Sequence, residues 1–93
     1  MSSYLLTYDL RNESGSQDYE ALYKEMERLR GHRTLLSVWL VAMDLTPKGV
    51  ADHFMKFLDK DDRIWVTRLR ESEHHFIRAM SGTNAWIENY PPG

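Results

Sequence analysis

Cysteine is missing from the chain, which excludes disulfide staples, thiolate metal centres and a cysteine nucleophile together. No apolar run comes near the roughly 20 residues that a bilayer-spanning helix needs, and the N-terminus does not read as a secretory signal. A large charge of one sign is missing too. The formal net charge is −2, so any attraction to nucleic acid must come from a local cluster of arginines. There is no glycine-rich phosphate loop, no Walker sequence and no Ser-His-Asp order. Asp59, Asp61 and Asp62 lack the spacing and the glycine of a calcium loop, and read as a solvated turn. The simplest address for such a chain is the cytoplasm.

What is present suits one small globular domain. Hydrophobic residues make up 42% and charged residues 28% of the 93 positions, both ordinary for a soluble domain. A chain this short hides about 60–65% of its unfolded surface. It can fold alone with little margin, and a homodimer interface would help.

Periodicity supplies the organisation. Residues 3–10 read as a strand rich in Tyr, Leu and Thr, and 11–15 as loop. From Ser16, a candidate N-cap, Tyr19, Leu22, Tyr23, Met26 and Leu29 recur at helical spacing. Glu20 and Lys24 form a favourable i,i+4 pair on that helix, and Gly31 after Arg28 and Arg30 marks its stop. Residues 33–43 are almost continuously apolar and β-prone, as one long strand or as two short ones around Leu36-Ser37. Thr46-Pro47 starts a second helix, with Val50, Phe54, Phe57 and Leu58 as its buried stripe. Residues 63–69 alternate as a further strand. Residues 74–80 are a candidate extra strand, 81–84 a turn, and Trp86, Ile87 and Tyr90 an apolar tail.

The order is β-α-β-β-α-β. It predicts a ferredoxin-like α+β sandwich, two helices on one face of an antiparallel sheet, with an additional C-terminal strand or tail. The expected division is a domain over 1–80 and a tail over 81–93 that docks on the domain or on a partner subunit.

The candidate for chemistry is Asp9. It stands where an apolar strand meets solvent, a place where packing has no use for a carboxylate. Around it, three stretches are similar to a known family. Tyr8-Asp9-Leu10 looks like the end of the opening strand of the small CRISPR-associated adaptation protein that partners the spacer integrase. Gly31-His32-Arg33-Thr34-Leu35-Leu36-Ser37-Val38-Trp39 resembles that family's G-x-R-x-Q-x-S-V-F pattern, with Leu35 in place of Gln and Trp39 in place of Phe. Asp62-Arg63-Ile64-Trp65-Val66 is similar to its last core strand. The resemblance covers roughly residues 3–70, and it extends to VapD-type toxin ribonucleases of the same architecture. It implies a homodimer in which two Asp9 residues face one another near the twofold axis and a final strand is exchanged.

The topology of such a sheet also brings Asp9, Ser37 and Arg63 to one edge. A carboxylate, a hydroxyl and a guanidinium there could hold a divalent cation and a phosphate. Two facing carboxylates need a cation or a proton between them. Mg²⁺ or Mn²⁺ would suit, with oxygen ligands and retained waters. The expected activity is then metal-dependent cleavage of RNA or DNA, with Asp9 as ligand, Ser37 beside it, and Arg11, Arg33 or Arg63 on the phosphate. The alternative is a non-catalytic scaffold binding nucleic acid or another protein of a larger complex. Arg28, Arg30 and Arg33 beside His32, and Arg63, Arg68, Arg70 and Arg78, are its cationic candidates. Arginine at a helix end also favours the dipole, and on a strand it can be the wet face. A third alternative is a purely protein-binding module using the aromatic tail.

Other groupings carry less. His74 and His75, with Glu71 and Glu73, read as a linker, since neighbours on a strand point apart. Asp44 ends the central apolar stretch at the opposite end of the sheet from Asp9. Trp39, Trp65, Phe54, Phe57 and Met55 are expected in the core or an interface, not as a base-stacking platform.

Overall fold

A computed structural model describes residues 1–9 and 19–93. Leu10, the loop over 11–15 with Arg11, and the Ser16 cap lie outside the described residues. The elements are β1 (Ser2–Asp9), α1 (Glu20–Arg28), β2 (His32–Leu35), β3 (Val38–Met43), α2 (Pro47–Met55), β4 (Arg63–Arg68) and α3 (Thr83–Asn89). The four strands form one antiparallel sheet in the order β2-β3-β1-β4. The chain is thus a small α+β fold. No helix among the described residues is long and apolar enough to cross a membrane.

Alternation along the strands sends Tyr4, Leu6, Tyr8, Trp39, Val41 and Met43 to one face, where they meet Leu22 and Met26 of α1 and Val50 and Phe54 of α2. Helix α1 ends because Arg30 turns left-handed (φ 59°) and the Gly31 amide returns to the Met26 carbonyl at 2.8 Å, closing the last turn. A Cβ at Gly31 would lie 3.0 Å from the Leu40 carbonyl oxygen, so the close approach of this turn to β3 requires glycine. Helix α2 starts as its sequence signals: Thr46 Oγ1 accepts from the Gly49 amide at 3.0 Å, with Pro47 at the first position.

The apolar run over 33–43 is two strands. Leu36-Ser37 is a two-residue turn, and Arg33 Nε donates to the Leu36 carbonyl at 2.9 Å. A register shift between Arg33 and Leu35 bulges the strand at Thr34.

Three expectations need correction. Residues 74–80 are not a strand: Ser72 and Arg78 have left-handed backbones (φ 65° and 58°), and such residues interrupt a pleated run. The C-terminal addition is a helix, not a strand, for α3 begins inside the stretch read as a turn. It covers the sheet face opposite α1 and α2, with Trp86 packed on Leu40, Ala42 and Leu69, and Leu5, Ile87 and Tyr90 around them. The Trp86 indole N–H donates to the Arg30 carbonyl at 2.9 Å, and Ser3 Oγ donates to the Tyr90 carbonyl at 2.6 Å. Asp62 is also corrected. It is buried, accepting from the Tyr19 hydroxyl at 3.0 Å and the Asp59 amide at 2.8 Å.

Because Trp86 fills the cover of the second face, Trp86→Ala is expected to lower the unfolding free energy by about 3–5 kcal/mol. Urea unfolding followed by circular dichroism measures this. A loss below 1 kcal/mol (on the order of a surface change) would show that α3 does not hold that face.

Candidate functional site

Asp9 closes β1, Arg63 opens β4, and the antiparallel register sets them directly opposite. Arg63 Nη1 lies 3.8 Å from Asp9 Oδ2, with the two side chains 70% and 64% exposed. That is a loose pair at the limit of direct contact. Two residues inward on the same face, Thr7 faces Trp65, and two further in Leu5 faces Thr67. Thr7, Tyr8, Asp9, Arg63, Ile64 and Trp65 line a shallow depression of about 210 Å³.

The other proposed site residues divide by face. Ser37 lies at the same end of the sheet, its carbonyl accepting from the Tyr8 amide at 3.2 Å. Arg33 does not join Arg63. It pairs with Trp39 on the helix-covered face, and its guanidinium carbon sits 5.5 Å from the Tyr23 ring centre. Arg11 lies outside the described residues. Tyr8 also points to the helix side, where Trp39 Nε1 donates to its hydroxyl at 3.3 Å. Burial pushes the Tyr8 phenol above its ordinary value, so it remains protonated at neutral pH and stays out of acid–base work.

Trp65 departs from the core half of its core-or-interface reading. Expected there and not as a stacking platform, it is 72% exposed and lies outside this chain's core. The missed signal is its parity: Ile64 and Val66 take the core side of β4, which sends Trp65 outward beside Arg63.

Among the described residues no group of three or more His, Cys, Asp or Glu side chains could hold a metal ion. Among the described residues lining the depression, Asp9 is the one carboxylate. Mg²⁺ takes one or two carboxylates and keeps waters, so the donor fits that ion if a second carboxylate or a substrate phosphate joins it. His74 is turned to its own segment, with Nδ1 3.1 Å from the Arg70 carbonyl.

A second charged cluster ties the helices together. Arg28 Nε and Nη2 each donate to Glu25 at 2.7 Å, and His53 Nε2 of α2 stands 2.6 Å from the same carboxylate. The Arg28 hydrogen bonds, helped by His53, hold the Glu25 carboxyl down at about 2 despite its burial. The cluster takes no part in lining the depression beside Asp9 and reads as a clamp between α1 and α2.

Asp9→Asn is expected to change stability by less than about 1 kcal/mol, because an exposed pair contributes little; urea unfolding at pH 7 checks this. The Glu25 clamp should behave differently. A folded-state carboxyl at about 2, below the ordinary 4.5, stabilises above pH 4.5 and ceases to as pH falls through 2. Glu25→Gln should therefore be less stable than wild type at pH 7, with the gap narrowing below pH 4.5. A gap independent of pH would remove the carboxylate from the explanation. No protein-family model matches this sequence.

Proposed function

We propose that the protein is a ferredoxin-like, CRISPR-adaptation-like homodimer with a nucleic-acid-related role in the cytoplasm, acting at the open end of the sheet around Asp9 and Arg63. The element order together with the strand order β2-β3-β1-β4 supports the ferredoxin-like reading. The observation that carries the functional reading is the Asp9–Arg63 pair: a carboxylate and a guanidinium, both mostly exposed and 3.8 Å apart. So loose a pair leaves the guanidinium able to turn to a phosphate, which it binds more tightly in a bidentate fork.

In such a homodimer the two Asp9 carboxylates would hold Mg²⁺ or Mn²⁺, and the ion would supply an activated water and offset charge on the phosphate. Asp9 would hold the ion, Arg63 would orient the phosphodiester, and Ser37 stands at the same end of the sheet. A second reading, the non-catalytic scaffold, is favoured by the guanidinium that Asp9 already faces within its own chain.

Incubation of wild type and Asp9→Ala with labelled RNA and DNA, with Mg²⁺ or with chelator, separates the two readings. Cleavage that needs Mg²⁺ and falls more than about 100-fold in Asp9→Ala is expected for the catalytic reading, since even groups that only orient a ligand typically account for 10–100-fold. Equal cleavage by both proteins ends it. Retained nucleic-acid binding without cleavage leaves the scaffold, and a monomer in sedimentation analysis removes the shared ion.

A further inference from the structure

We infer that the depression beside Asp9 takes single-stranded nucleic acid, with one base stacked on Trp65 and the adjoining phosphate on Arg63. The inference rests on the nucleic-acid reading above and names the class of substrate.

Trp65 belongs to neither of the two core clusters among the described residues. The core side of β4 is served by Ile64 and Val66, while Trp65 leaves 72% of its surface in solvent. The backbone beneath it is held on one side by β1, through the Thr7–Trp65 register. An indole on a strand of a sheet is a rigid shelf, and its π-face suits any base. Arg63 precedes it by two residues on the same face, roughly 7 Å away along the strand. A base on the shelf and a phosphate at the guanidinium are therefore neighbouring groups of one extended strand. A duplex does not suit this arrangement, because its bases are stacked on each other and present no face to a lone indole. Asp9 lies across from Arg63 on the neighbouring strand β1, where it can accept from a sugar hydroxyl or hold the metal of the reading above.

A second copy of the chain is the competing occupant. Covering Trp65 with a second copy would withdraw both Arg63 guanidiniums from water with no phosphate to meet them, a cost that the cation-bridged Asp9 pair of the proposed homodimer does not offset. Three other large exposed apolar side chains, Leu35, Phe76 and Met80, belong to the β2 side: Leu35 and Phe76 line a separate cavity with Thr34, and the Met80 amide binds the Thr34 carbonyl. Apolar surface for a protein contact is thus available away from the depression, and the charged pair with its indole matches a nucleic-acid strand better.

Of the three tryptophans, Trp39 and Trp86 are buried and Trp65 is exposed, so intrinsic fluorescence reports on Trp65. Anisotropy titration of fluorescein-labelled oligo-rU, oligo-dT and a mixed-sequence duplex of equal length with the full chain is the experiment, repeated for Trp65→Phe, Trp65→Ala and Arg63→Ala, with Trp65 quenching followed in wild type. Saturable quenching by single strands is expected, with affinity about ten-fold or more weaker in Trp65→Ala and largely kept in Trp65→Phe. Arg63→Ala should flatten the salt dependence by nearly one unit of slope. The rU and dT arms report whether a 2′-hydroxyl contributes. Single strands that bind Trp65→Ala as tightly as wild type, or a duplex that binds best, overturn the inference while leaving the nucleic-acid reading intact. No binding by any oligonucleotide overturns both. A smaller oligomer in Trp65→Ala, with no quenching in wild type, assigns the indole to a second copy and overturns the inference.

Discussion

The constraint on which this fold turns is that its central strand is buried on both sides. Residues Trp39 to Met43 of β3 are buried without interruption, so the sheet needs a cover on each face. Helices α1 and α2 supply the first, through a core built on Tyr4, Leu6, Trp39 and Val41. The chain beyond β4 supplies the second. Leu69, Trp86, Ile87 and Tyr90 close over Leu5, Leu40 and Ala42. This cover reaches one end of the sheet and stops short of the other. The row Leu35, Val38, Thr7 and Trp65, which the registers align across all four strands, lies toward the open end beside Asp9 and Arg63.

Apolar contact alone does not hold a seven-residue helix in place, since helices that short are marginal by themselves. Helix α3 is fixed by a buried polar knot. Thr83 Oγ1 donates to the Met80 carbonyl at 2.7 Å, while Thr34 Oγ1 lies 2.7 Å and His32 Nε2 3.1 Å from the same oxygen. One hydroxyl has one proton to give, so Thr34 and His32 must both donate to Thr83, and His32 carries its proton on Nε2. The bulge at Thr34 turns that hydroxyl to the α3 side, and Gly82, left-handed at φ 97° with His32 Cε1 3.1 Å from where a Cβ would stand, lets the chain pass close to the imidazole. The second cover is thus locked to β2, an outer strand, by side chains that no apolar pattern would single out.

That division explains how much of the fold is legible in the sequence. The strand and helix periods of 2–9, 20–28, 47–55 and 63–68 follow from which residues face the first cover, and alternating Tyr and Leu state this locally. The continuous run over 33–43 is opaque for the opposite reason: a strand buried on both faces loses its alternation, and a Leu-Ser turn carries none of the glycine or asparagine that announces a hairpin. Residues 74–89 mislead because their conformation is imposed from a distance. Left-handed Ser72 and Arg78 break a β-prone stretch, and Thr83 starts a helix by binding Thr34, 49 residues earlier. Asp62 has the local sequence of a solvated turn, yet the Tyr19 hydroxyl reaches it from the start of α1. In the candidate site, the meeting of Asp9 and Arg63 is legible because register alone decides it. The separation of Arg33 from them is equally a matter of parity, but counting it needs the bulge at Thr34, which sequence does not display.

The open end of the sheet is where stability and function part company. Folding explains Ile64 and Val66, which fill the first core, and Leu69, which joins the second. It explains neither the exposed indole between them nor the loosely paired charges at the end of the strand. Thr67, one step along the same face, is exposed as Trp65 is, and an indole left in water on folding gains little of the burial energy that fixes Ile64 and Val66. The indole stands beside a guanidinium only loosely engaged by its own carboxylate, and a base joined to a phosphate, as proposed above, is a unit that would meet both groups together.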